Sequence, residues 1–155
     1  MRSPGLQRAC SNSGQNPFAY RDGPRVALAG GKRRGKRTEV GTRAREASIV
    51  DAASGKSTSL WPLLSAPRHS LLIFEEEGRP TALNGAVQEA GDRLQVLRLD
   101  GRCDPQGEVR DRYRMRSPGW VLVRSDQVVA ARGAGTDFSA LDVYAAQVLR
   151  PRPAA

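Results

Sequence analysis

The residues best equipped for chemistry stand near the start of the chain. "RVALAGGKRRGKRT", Arg25 to Thr38, places an apolar run before Gly30-x-x-x-x-Gly35-Lys36. That is how a phosphate-cradling loop opens, with backbone N–H groups and a lysine meeting the anion. A working loop also needs Ser or Thr directly after the Gly-Lys to hold magnesium, and a following helix whose N-terminus faces the phosphates. Position 37 is Arg, Thr38 comes one residue late, and "TEVGTRARE" is short and interrupted by Gly41. The stretch therefore reads as part of a basic arm. Lys32, Arg33, Arg34, Lys36 and Arg37 are its candidate polyanion contacts, and nonspecific nucleic-acid binding through phosphates is the alternative function they offer.

Other reactive side chains are scattered. Glu75, Glu76 and Glu77 could serve as metal ligands or acid/base carboxylates, but three like charges in a row after an apolar run mark a solvated loop, and no His or Cys cluster accompanies them. His69, the single histidine, reads as a surface residue at a strand start, since no motif assigns it a nucleophile. Cys10 and Cys103 fit neither a C-x-x-C pair nor a zinc spacing and are expected to be free thiols in a reducing compartment. "GAGTDF" at Gly133 supplies two glycines of a dinucleotide fingerprint and no more. No catalytic, cofactor-binding or metal residue is assigned. Trp61, Trp120, Phe74, Phe138 and Tyr144 fall on apolar faces and read as core or docking surface, with Trp61 and Trp120 the docking candidates.

The charge is unevenly spread. Of the net +9 carried by 155 residues, positions 1–47 hold 11 Lys or Arg against 3 Asp or Glu, a balance of +8, whereas positions 48–155 hold 14 against 13. The first third is also rich in Gly, Ser and Asn, a composition that favours a flexible arm over a packed element. No apolar run reaches the roughly 18 residues a membrane span requires, and Met1 to Tyr20 lacks the apolar centre of a signal peptide. A soluble cytoplasmic protein of one folded domain is expected.

The elements that would position these residues begin near Ser48. "ASIVDA" is a possible short strand. "STSLWPLLSAP" reads as a short helix with Ser57, Thr58 or Ser59 as N-cap and a stop before Pro67. "HSLLIFEE" is a strand buried on both faces. "PTALNGAVQEAGD" is a helix with Pro80 in its first turn, Leu83, Ala86, Val87 and Ala90 on one side, and Gly91 at its end. "RLQVLRLDG" is a strand followed by a turn, and "GEVRDRYRM" a short charged helix. "GWVLVRSDQVVAARG" gives two strands around a turn at Ser125 to Gln127. "TDFSALDVYAAQVLRP" closes with a helix capped by Thr136 and stopped by Pro151. The order β-α-β-α-β-α-β-β-α predicts an α/β fold, a mixed sheet with helices on both faces, parallel early and antiparallel late. This is the element order of the thioredoxin-like fold.

Several of these stretches, in this order, resemble the C-terminal domain of FAD-dependent aromatic-ring hydroxylases, the phenol hydroxylase-like flavoprotein monooxygenases. In that family the domain opens with D-A-x-G, then S-L-W/F-x-L-L, then a strand ending L-L-x-F, matched here at Asp51 to Gly55, Ser59 to Leu64 and Leu71 to Phe74. It closes with an arginine-tyrosine pair and L-V-R-P-D-G-x-V-A-x-R, matched at Arg112-Tyr113 and at Leu122 to Arg132, with Ser125-Asp126-Gln127 in place of P-D-G. The match runs from about Gly41 to Arg150. It implies a thioredoxin-like appendage at 48–150, preceded by a basic arm or linker remnant at 1–47 and followed by a short tail at 151–155. The family's flavin motifs, G-x-G-x-x-G and G-D-A-x-H, are not in this sequence. FAD and NAD(P)H are accordingly implied for the full-length family only, and the chain is expected to be a truncated or stand-alone module without catalysis of its own, its partner a flavin-binding monooxygenase domain or a second copy. Thiol redox chemistry would need a cysteine after the first long strand, where "EEEGRPT" has none, and Ser117-Pro118 occupies the place where the fold keeps a cis-proline.

Overall fold

The computed structural model describes residues 40–51, 53–83, 85–116 and 118–149. The polyanion contacts proposed at Lys32, Arg33, Arg34, Lys36 and Arg37, the tail at 151–155 and Ser117 lie outside the described residues. In chain order the elements are β1 (Ser48–Val50), β2 (Ser57–Ser59), α1 (Leu60–Leu64), β3 (His69–Phe74), α2 (Ala86–Glu89), a 3₁₀ turn (Gly91–Arg93), β4 (Leu94–Leu99), α3 (Glu108–Tyr113), β5 (Gly119–Val123), β6 (Val129–Ala134), α4 (Ser139–Tyr144) and a π turn (Ala145–Leu149).

β3 is central because nearly all of it is apolar. Side chains alternate across a strand, so Leu72 and Phe74 enter one apolar layer with Leu60, Leu64, Val109 and Tyr113. Leu71 and Ile73 enter the other with Val87, Trp120, Leu141 and Tyr144. α1 and α3 thus cover one face of the sheet, α2 and α4 the other. The strand order is β4-β3-β5-β6, with β4 parallel to β3 and both later pairings antiparallel. A parallel βαβ half joined to an antiparallel hairpin and a closing helix is the thioredoxin-like arrangement that the element order predicted.

Three expectations are corrected. The strand at "ASIVDA" forms, but it pairs antiparallel with Ser57–Ser59 in a separate ribbon. The intervening turn, closed by Asp51 N–H to Lys56 C=O at 2.9 Å, is too short for the crossover that parallel pairing requires. The helix expected from Pro80 shrinks to the single turn of α2, because side chains hold the backbone before it. Thr81 N–H donates to Glu75 Oε1 at 2.7 Å and its carbonyl accepts from Arg98 at 3.0 Å, and Gly85 enters the turn at φ 62°. The boundary at 47/48 falls inside the folded unit. Val40, Ala44 and Ala47 are buried, and Gly41 and Thr42 exchange backbone hydrogen bonds with Val129 at 2.8 Å.

Segment 40–47 also supplies a cap that its sequence did not advertise. Ser59 occupies the N-cap position of α1 but makes no side-chain cap bond. Instead Glu46 Oε1 accepts the N–H groups of Ala47, Leu60 and Trp61 at 2.9, 3.0 and 3.1 Å, a carboxylate at the positive end of a helix. α4 shows a similar exchange: Asp137 Oδ1, not Thr136, accepts Ser139 N–H at 3.0 Å. In the β5–β6 turn, Gln127 sits at φ 64°, a strain on the order of 1 kcal/mol. Its side chain accepts from Arg43 at 2.9 Å and donates to Ser65 Oγ at 3.0 Å, which offsets that strain. Glu46→Ala removes the carboxylate acceptor of Trp61 N–H and leaves Leu60 N–H with Ala47 C=O alone, at 2.9 Å. Urea unfolding followed by tryptophan fluorescence should show a loss of about 1 kcal/mol, and an unchanged midpoint would refute the capping role.

Candidate functional site

The C-terminal ends of the parallel strands β3 and β4, together with the turn into β5, are where an open α/β sheet places its ligand sites. A cleft of about 480 Å³ lies here, lined by Glu76, Arg79, Pro80, Thr81, Ala82, Pro118 and Thr136. Its walls carry no thiol, histidine or nucleophile beyond threonine hydroxyls, and its charged residues are already joined, Arg79 Nη1 donating to Glu76 Oε2 at 3.2 Å.

Behind the cleft stands a polar lattice. Glu75, expected in a solvated loop, is 5% exposed. It is ion-paired with Arg98 and accepts Thr81 N–H. Its backbone continues the β3–β4 ladder, Glu75 N–H reaching Leu99 C=O at 3.0 Å. Asp104, 3% exposed, accepts the N–H groups of Val109 and Arg110 at 3.2 and 3.1 Å and so caps α3. Arg110 returns Nη1 to Asp104 Oδ2 at 3.2 Å, while its Nη2 donates at 3.1 Å to the carbonyls of both Glu75 and Leu99. One guanidinium therefore ties α3 to the last residues of β3 and β4. Glu77 pairs with Arg102 at 3.0 Å, which raises the guanidinium's pKa. Each of the three consecutive glutamates thus has its own arginine. Among the described residues no group of three or more His, Cys, Asp or Glu stands together to hold a metal ion.

The remaining candidates take structural places. His69 Nε2 lies 3.2 Å from Tyr144 Oη, half-buried at the strand start. Trp120 is corrected from docking candidate to core. It is 1% exposed, its indole N–H donates to Asp137 C=O at 3.0 Å, and it fills the space over Gly133, where a Cβ would come within 2.6 Å of the ring. A central position on β5 facing α4 leaves no route to the surface. Trp61 is half-buried, with its N–H on Ala44 C=O at 3.1 Å and the Arg43 guanidinium 4.8 Å from the ring centre, so segment 40–47 occupies both its polar end and one face. Tyr113 is fully buried with its hydroxyl on Arg45 C=O at 2.8 Å, and burial pushes its phenol pKa well up.

Cys103 is the one cysteine among the described residues. Burial, then the Asp100 charge, push its thiol pKa up, the reverse of what a redox thiol needs. Burial presses Asp100 upward, but the Cys103 and Arg102 N–H groups outweigh it and hold the carboxyl below its ordinary value. Of the residues that hold this end of the sheet, the sequence reading missed Arg98, Asp104 and Arg110. Asp104 precedes α3 by too many positions to read as an N-cap, and the carbonyls that Arg110 meets are distant in sequence.

No family model matches the chain, and no curated protein sequence matches it. Solved structures do. The flavin-dependent monooxygenase PieE, solved with FAD and substrate, is 22% identical with a TM-score of 0.64 over 93% of this chain and 28% of its own. Aklavinone-11 hydroxylase, solved with FAD and aklavinone, is 24% identical with a TM-score of 0.57 over 85% of this chain and 26% of that one. RebC-10x is 20% identical with a TM-score of 0.58 over 96% and 24%. The chain spans about a quarter of the length of these proteins. At these identities the likeness is one of fold: this is a thioredoxin-like domain, and its fold is that of a domain-sized part of FAD-dependent hydroxylases. The cleft is lined by Glu76 and Arg79 together, and its lining contains no glycine fingerprint.

Two outcomes follow. Asp104→Ala leaves Arg110 and the start of α3 without their carboxylate, at a cost of about 3 kcal/mol in urea unfolding; a loss near zero would show that the lattice does not hold this end. A raised thiol pKa lowers the thiolate fraction at any given pH, and its contribution to stability is present below the unfolded pKa and lost as pH rises through the folded one. In a Cys10→Ser background, the rate at which Cys103 reacts with a thiol reagent should still be climbing above pH 9. A plateau below pH 8 would contradict the assignment.

Proposed function

We propose that the chain is a non-redox thioredoxin-like appendage of the FAD-dependent aromatic-ring hydroxylase type, packing against flavin-binding domains and leaving the chemistry of FAD, NAD(P)H and dioxygen to them. The observation that carries this reading is the exchange at the end of β3. Where a redox member of the fold needs a thiol with a depressed pKa, this chain has Glu75, Glu76 and Glu77, each paired with an arginine. The likeness to PieE and aklavinone-11 hydroxylase, which covers most of this chain and about a quarter of theirs, supports the hydroxylase side of the proposal. Among the described residues no helix is long and apolar enough to cross a membrane.

The second reading, nonspecific nucleic-acid binding through Lys32, Arg33, Arg34, Lys36 and Arg37, rests on the +8 balance of positions 1–47. It requires steeply salt-dependent retention on DNA. The test is to purify the full chain, titrate it with FAD, assay reduction of insulin disulfides with dithiothreitol, and measure DNA retention at rising salt. The appendage reading expects neither a bound flavin nor accelerated insulin reduction. Turnover in the insulin assay would overturn the non-redox assignment, and a stoichiometric yellow flavin would overturn the division of labour.

A further inference from the structure

We draw no further inference here: the strongest candidate, the outer edge of β4 around the exposed Val96, carries none because nothing in the structure shows what covers it.

Discussion

Arg110 holds together what would otherwise be three separate ends. Where a parallel strand pair ends, its last carbonyls run short of ladder partners, and a buried carbonyl without a donor is costly. Here the carbonyls of Glu75 and Leu99 receive one guanidinium, and Asp104 neutralises that guanidinium while capping the helix that carries it. Removing Asp104 takes away both the carboxylate facing the Arg110 guanidinium and the cap of α3. The same lattice fixes the exit of β3, from which Glu75 reaches forward to Thr81 and Arg98. The C-terminal end of β3 is thus occupied by ion pairs. These satisfy the backbone that a helical turn would otherwise satisfy.

That arrangement explains both the shape and the chemistry of the cleft. Because Thr81 is anchored by side chains, the chain from Glu76 to Leu83 cannot continue into α2 as a helix, and a shallow cleft opens between it, Pro118 and Thr136. Because the acidic residues around it are committed to arginines, the cleft carries no unpaired carboxylate poised to accept a proton. Segment 40–47 closes the opposite face through Glu46 on α1 and Arg45 C=O under Tyr113. The folded unit therefore includes the stretch that leads into it.

Local signals were legible in the sequence wherever a segment's pattern and its burial agree. The apolar run at β3, the hairpin around Ser125 to Gln127 with its strained third residue, the charged α3 and the Arg112-Tyr113 pair all stand where their residue types suggested. What the sequence concealed came from pairings distant along the chain. Glu46 caps a helix 14 residues away, and Glu75 reads as solvated, as Glu76 and Glu77 are, until Arg98 reaches it from β4. Trp120 looks as suited to a surface as to a core until the strand order puts it under α4. The unexpected ribbon of β1 and β2 has the same origin, since a short hairpin and a strand before a crossover helix carry similar patterns.

The account stands on the end of β3 being a locked structural joint. Native-state hydrogen exchange of the Thr81 amide tests this most directly. It is a loop amide near an open cleft, and its protection comes from the buried Glu75 carboxylate. The lock predicts that Thr81 exchanges with an opening free energy close to that of the β3 core amides. Exchange at the rate of an unprotected loop would show that the joint opens freely and contradict the account.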